Sequence, residues 1–345
     1  MKKVVKQVLG IDVAQKELVV TAGRMHEDLS HELYASKTFA NNHKGFAAML
    51  LWIKQRSDQH ISVRYVMEAT GVYHEHVAHY LDEQSKEVSI ILPNKISNYM
   101  RTLDVKTVTD KTAADAIAQF GLERNLENWI KPKVVYRDMR QLTRERDQIV
   151  QERTVAKNQL HAEEAGAFPY KNSIQRIKER IKLLDKQDQA VQKEIKELIN
   201  KDTEIKSNAK LICSIPGIGL TTAAVILAET NGFELIRNRR QLASYAGFDV
   251  KEKQSGTSVK GKSKISKRGS KYLRKALHMP ALAAIKSDAR PKATFARLVS
   301  KHGIKMKAVV AVQRKLLEMS YTIFKTQTPY SKDYLTKQTR QDDQT

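Results

Sequence analysis

Val8-Leu9-Gly10-Ile11-Asp12 is a short aliphatic run with one glycine inside it and a carboxylate at its end. Such a run predicts a buried strand, and Glu17 to Ala22 predicts its hairpin partner. Outward from this pair, Phe46 to Lys54 reads as a helix and Val63 to Met67 as a second buried strand. Tyr73 to Leu81 reads as another helix, and Val88 to Leu92 as a strand stopped by Pro93, which has no N–H for a ladder. Strands alternating with helices from Val4 to about Trp129 predict an α/β domain.

Three carboxylates fall at telling places in that pattern. Asp12 closes the first strand, Glu68 follows the strand Val63 to Met67, and Asp110 opens a helix that runs through Ala113, Ile117 and Phe120. Taken singly, each reads as a turn or cap residue, Asp110 as a cap after Thr109. As an ordered set they match an RNase H-type domain, where carboxylates at these places converge on divalent metal. Mg²⁺ takes hard oxygen ligands, and a metal pair clamps the attacking and leaving oxygens of a phosphoryl transfer.

The stretch from about Val135 to Asn200 has almost no strand character. A heptad places Ile174, Ile181, Asp188 and Ile195 at one seam position and Ile177, Leu184, Val191 and Leu198 at the other. A weaker seam, Met139, Leu142, Ile149 and Leu160, is interrupted by Arg146 and Arg153, and Gly166-Ala167-Phe168-Pro169 separates the two. A helical hairpin within the chain and pairing between copies would both bury these seams. The length of the second seam favours self-association, as a dimer or tetramer.

Farther on, Ile215-Pro216-Gly217-Ile218-Gly219 precedes the apolar run Leu220 to Glu229. A tight turn at a helix N-terminus offers free N–H groups to phosphate, so Gly217 and Gly219 are candidate backbone contacts of a helix-hairpin-helix-like motif. Beyond it, Lys251, Lys253, Lys260, Lys262, Lys264, Lys267, Arg268, Lys271, Arg274 and Lys275 surround Gln254-Ser255-Gly256. Over the 345 residues, 61 Lys and Arg against 38 Asp and Glu leave a formal charge of +23. That excess repels itself unless a polyanion offsets it, and nucleic acid is the commonest one.

Membrane insertion is not expected, because no run of about 18 apolar residues occurs and no signal peptide opens the chain. The single cysteine, Cys213, excludes an internal disulfide framework and fits a reducing, cytoplasmic setting. With 6% aromatic residues, a base-stacking platform is not indicated.

Gly10-Ile11-Asp12-Val13-Ala14, Met67-Glu68-Ala69-Thr70-Gly71, Thr107-Val108-Thr109-Asp110-Lys111, Ile215-Pro216-Gly217-Ile218-Gly219 and Tyr245-Ala246-Gly247 occur in this order. Gln254-Ser255-Gly256, Ile265-Ser266-Lys267-Arg268-Gly269 and Leu273-Arg274-Lys275-Ala276-Leu277 follow them. In that order and spacing, the chain resembles over nearly its full length the DEDD-type transposases of bacterial insertion sequences, recombinases guided by a structured bridge RNA. The resemblance implies a RuvC-like (RNase H fold) catalytic domain over 1–133, a helical coiled-coil segment over 134–204, a mainly helical transposase domain over 205–328 and a flexible tail over 329–345. It further implies Mg²⁺ on Asp12, Glu68, Asp110 and a fourth aspartate.

The family places that fourth residue three positions after the third, where this chain has Ala113; the nearest candidate is Asp115. Five residues along a helix turn its side chain by about 140° from Asp110. The resemblance assigns Ser255 as the nucleophile of DNA cleavage and religation, joined to DNA as a 5′-phosphoserine in a composite site. Target and donor DNA are then chosen by the bridge RNA. Two rival readings stay open: a RuvC-type metal-dependent junction nuclease in which water attacks, and a nucleic-acid-binding protein with a catalytic domain degenerate at Ala113.

Overall fold

The aliphatic run at Val8 belongs to a longer strand, β1 (Val4–Val13), paired antiparallel with β2 (Glu17–His26) as expected. A third strand, β3 (His31–Ala40), adds antiparallel to β2. Helix α1 (His43–Lys54) crosses to β4 (Val63–Glu68), parallel to β1, and α2 (His74–Glu83) crosses to β5 (Glu87–Ile91), parallel to β4. The sheet order is β3-β2-β1-β4-β5, the mixed sheet of the RuvC-like, RNase H-type fold. Pro93 does end β5, and it then serves as the first residue of α3 (Pro93–Met100), where a missing N–H costs nothing. A 3-10 turn, Arg101–Leu103, and α4 (Asp110–Glu123) follow.

This computed structural model describes residues 2–69, 71–103, 107–234, 236–252, 254–255, 259–260 and 264–331. It divides into two compact units, Met1–Lys131 and Pro132–Thr345.

Alternation along β1 divides the first unit into two layers. Leu9, Ile11 and Val13 pack with Phe46, Met49 and Ile53 of α1 and with Val77 and Leu81 of α2. Val8 faces the other way, with Val66 of β4 and Ile117 and Leu122 of α4. Gly10 shares that second face, and a Cβ there would lie 2.3 Å from Ala118 N and 2.5 Å from Ala114 O. Glycine therefore lets α4 lie directly on β1. This contact fixes where α4 begins, and so where Asp110 stands.

The second unit opens with two helices of 31 residues each, α5 (Val134–Glu164) and α6 (Lys171–Lys201), each about 46 Å long. They fold back on each other within the chain. Tyr136, Met139, Ile149 and Ala156 of α5 share a core with Leu184, Val191, Ile195 and Ile199 of α6. The seam expected to join copies is thus corrected to an intrachain seam, with α5 as its cover. The polar interruptions explain the choice. Arg146 Nε lies 2.8 Å from Asp188 Oδ1, off the line of a straight hydrogen bond, while Arg153 Nη1 lies 3.1 Å from Asp188 Oδ2 and 2.8 Å from Asp185 Oδ1.

The rest of the unit is mainly helical: α7 (Thr203–Cys213), α8 (Leu220–Thr230) and α9 (Arg239–Ala246) precede a small β arm. In the arm β6 (Val250–Lys251) pairs with β9 (Lys264–Ile265), and β7 (Gln254–Ser255) pairs with β8 (Val259–Lys260). Then come α10 (Lys271–Ala276), α11 (His278–Ser287), α12 (Ala289–His302) and α13 (Lys305–Thr326). Past α13, the Tyr330 N–H donates to Ser214 Oγ (2.8 Å) and its hydroxyl to Asp288 Oδ2 (2.6 Å). Among the described residues no helix is long and apolar enough to cross a membrane.

Candidate active site

Asp12 and Glu68 are brought together by strand pairing. Ile11 is in register with Met67 on the adjacent parallel strand, so Asp12 and Glu68 end neighbouring strands on the same side. Both lie on the face that α4 covers, Asp12 two residues beyond Gly10 and Glu68 two beyond Val66. Asp110 is one helical turn before Ala114, the residue seated on Gly10, so α4 carries it toward the same sheet end. Thr109 caps the helix, its side chain accepting from Thr112 N while Thr112 Oγ1 accepts from Thr109 N. Asp110 is therefore not needed as the cap and is left to other work.

Partial burial, then the charges of Asp110 and Glu68, push the Asp12 carboxyl up to about 6, against the opposing pull of the Val13 N–H. A like-charge gathering of this sort is unfavourable by itself and marks functional sites. Among the described residues, no group of three or more His, Cys, Asp or Glu is drawn together closely enough to hold an ion as it stands. The donor set nonetheless fits one: hard carboxylate oxygens suit a divalent cation, whose charge offsets the repulsion that Asp12 feels.

Asp115 is placed differently. Its Oδ1 accepts a 2.6 Å hydrogen bond from Thr21 Oγ1 on β2, and Thr21 is opposite Gly10, two residues back along the sheet from Asp12. Thr21 was not singled out from the sequence; a buried threonine in an aliphatic strand was its only signal.

In the second unit Ser255 lies in β7, its backbone paired with Val259. Gly256, Lys253 and Lys262 lie outside the described residues. The base of the arm is fastened: Ser266 N donates to Asp249 O (2.8 Å), and Lys267 N donates to Gly247 O (3.1 Å). Of the basic residues around it, Lys251, Lys264, Lys267 and Arg268 stand at or beside this base. Arg274 is occupied inside the fold, with Nη1 donating to Ala246 O (2.8 Å) and Gly269 O (3.1 Å). Lys275 pairs with Asp147 of α5, and Lys271 Nζ sits 5.1 Å from the centre of the Tyr272 ring.

An anchor beneath the arm escaped sequence reading. Glu229, 3% exposed, takes Arg144 Nε at 2.8 Å and Nη2 at 3.3 Å, together with the Ser270 hydroxyl at 2.9 Å. The Tyr245 hydroxyl donates to its carbonyl at 2.7 Å. This cluster ties α5 and α8 to the chain on both sides of the arm. A single acid at the end of an otherwise apolar helix was its signal.

Gly217 and Gly219 divide the turn between α7 and α8. Gly217 has φ +86°, and a Cβ there would lie 2.4 Å from Pro280 O, so it serves helix packing against α11. Gly219 is the N-cap of α8, which has no side-chain cap hydrogen bond, and a Cβ there would meet nothing within 4 Å.

The fold and the carboxylate set define a DEDD, RuvC-like nuclease fold, a class that is typically metal-dependent. Comparison with known proteins gives the family. A transposase family matches residues 9–169, and the "Transposase IS116/IS110/IS902 family" matches residues 209–296. The "Pilin gene-inverting protein" of Moraxella bovis is 30% identical over 337 residues, covering 95% of this chain and 98% of that one. The "Insertion element IS110 uncharacterized 43.6 kDa protein" of Streptomyces coelicolor is 26% identical over 132 residues, 38% of this chain and 32% of that one. The Thermus thermophilus RuvC structure is similar at 14% identity and TM-score 0.28, over 36% of this chain and 99% of that one. The chain belongs to the IS116/IS110/IS902 family of transposases, enzymes of DNA recombination.

Proposed function

We propose that this transposase cuts and rejoins DNA through a covalent phosphoserine link, and that one outcome is inversion of a DNA segment. The observation that carries this reading is the gathering of Asp12, Glu68 and Asp110 at one sheet end, where their mutual repulsion raises the Asp12 carboxyl. The end-to-end similarity to a pilin gene-inverting protein supports inversion. Asp12, Glu68 and Asp110 would hold Mg²⁺, with Asp115 as a fourth, weaker carboxylate, and the ion would supply positive charge to the reacting phosphate.

Ser255 supplies the nucleophile. Its hydroxyl gives up a proton, Oγ bonds to phosphorus, and the bond from phosphorus to the 3′ oxygen breaks. The 3′ oxygen takes up a proton and leaves as a hydroxyl, and the 5′ phosphate stays on the serine. Attack by another 3′ hydroxyl reverses these steps and joins the new partner, so no high-energy cofactor is consumed. Lys251, Lys264, Lys267, Arg268 and Lys271, with Gly219 at the N-cap of α8, hold phosphates; Lys253, Lys260 and Lys262 add to the same charge.

A structured bridge RNA pairs with target and donor DNA and chooses the sites, with the protein reading backbone and shape. The chain works as a dimer or tetramer, since two duplexes must be held at once, and does so in the cytoplasm. The test is a recombination assay with the flanking non-coding RNA, Mg²⁺ and paired DNA substrates, resolved on denaturing gels. A protein–DNA adduct formed by the unaltered chain and absent from Ser255→Ala supports the reading. Cleavage without an adduct, equal in Ser255→Ala, replaces it with a metal-dependent nuclease in which water attacks.

A further inference from the structure

A cleft of about 270 Å³ lies between the starts of α9 and α12 and one face of α13. Its wall is apolar, formed by Met319, Ile323 and Tyr330, and its rim carries Arg239, Arg290 and Lys315. One of these cations is oddly placed. Arg239 is the first residue of α9, at the positive end of the helix dipole, and that first turn holds no acid, whereas Arg290 is the second residue of α12, whose end is capped by the Asp288 carboxylate accepting from Arg290 N. The one carboxylate in the cleft, Glu318, is paired with Arg314 at 2.7 Å. The positive end of α9 and the cations Arg239 and Lys315 beside an apolar wall are complementary to an anion with a flat apolar body.

The wall is also held firm. Tyr330 is pinned at its N–H by Ser214 and at its hydroxyl by Asp288, the residue that caps α12. The size falls just below the ~300–1,000 Å³ of ordinary small-ligand sites, enough for one base with its phosphate and too little for a duplex. We propose that this cleft takes one unpaired nucleotide of a single-stranded nucleic acid. Its phosphate rests on Arg239 and Lys315, and its base lies against Met319, Ile323 and the Tyr330 ring. This rests on the nucleic-acid function proposed above and adds a site that discriminates single strands from duplex. It holds one base rather than a row of stacked ones, in keeping with the few aromatics of the chain.

The experiment compares the full chain with Arg239→Ala/Lys315→Ala, two exposed positions, and with the charge-matched control Lys44→Ala/Lys54→Ala on α1. Anisotropy of labelled short single strands, DNA and RNA, and of the matching duplex is read at one salt concentration. The cleft variant loses about tenfold in single-strand affinity and less than about twofold on duplex, while the control shifts both alike. A photoreactive base in the strand crosslinks to Met319 or Tyr330 in the unaltered chain.

Equal loss on duplex and single strand, no loss at all, or crosslinks confined elsewhere overturns the inference. Titration with a free mononucleotide separates the sources: saturable binding of the mononucleotide without single-strand binding makes the ligand a free nucleotide and overturns the strand assignment. If the unaltered chain binds no nucleic acid, the inference and the function beneath it both fall. Intact binding that the cleft variant leaves unchanged removes the inference alone.

Discussion

Acidic residues are treated in opposite ways by the two units. At the sheet end of the first unit, Asp12 is set beside two further carboxylates and is pushed up to about 6 by burial and by their charge. In the second unit, Asp188 on α6 has Arg146 and Arg153 against it, and Glu229 on α8 has Arg144 and Ser270. The paired acids lock helices together; the gathered ones raise the Asp12 carboxyl and cost the fold stability. Where buried acids meet arginines the reading is structural, and where they meet one another it is chemical.

The comparison is broken most severely at Asp12. Asp12→Asn keeps the shape of the side chain and removes its charge, and DNA strand cleavage falls roughly a thousandfold, about 4 kcal/mol of barrier, in a gel assay of product formation. The mirror experiment is Asp188→Ala, which strands Arg146, leaves Arg153 only Asp185 and lowers unfolding free energy by about 3 kcal/mol in urea titration. Replacing Asp188, Arg146 and Arg153 together by leucine recovers most of that loss, because the seam then closes as an apolar one.

Gly10 links structure to chemistry. Gly10→Ala drives a methyl into the α4 backbone and destabilises by about 2 kcal/mol. Because α4 is pushed off the sheet, it also lowers cleavage without touching a carboxylate. A variant that melts lower but cleaves at the parent rate would separate the helix seat from the site.

The smallest effect is a titration. The folded value of Asp12, about 6, lies above its ordinary 3.8, so the folded chain binds that proton more tightly than the unfolded chain does. The charged carboxylate therefore costs stability above pH 6, and the cost fades as pH falls through about 6 and is gone below 3.8. Asp12→Asn is accordingly more stable than the parent at pH 8, by about 1 kcal/mol once solvent screening of this half-exposed group is allowed for. At pH 3.5 the two match.

Much of this contrast can be read in the sequence, and what cannot has physical causes. The strand at Val8, its hairpin and the crossover strand at Val63 are legible because both of their faces are buried or alternate cleanly. β3 is not: only Phe39 of its ten residues is buried, so it lacks the alternation of a core strand. The heptad of α6 is legible, yet a seam states only that a face needs cover. Its partner was written in the charges, Asp188 in one seam and Arg146 and Arg153 in the other. The basic stretch after Tyr245 reads as one charged surface, while Arg274 turns inward and Lys275, still exposed, pairs with Asp147 of α5. Two-residue strands such as β6 and β9 leave no periodicity to detect.

The carboxylate site is tested most directly by thermal unfolding at pH 8 of the unaltered chain and Asp12→Asn, each with Mg²⁺ and with K⁺ at matched ionic strength. Mg²⁺ raises the melting temperature of the unaltered chain and leaves Asp12→Asn where it was, if the gathered acids form one cation site. An equal rise in both chains, or none in either, would mean that Asp12, Glu68 and Asp110 do not hold the ion.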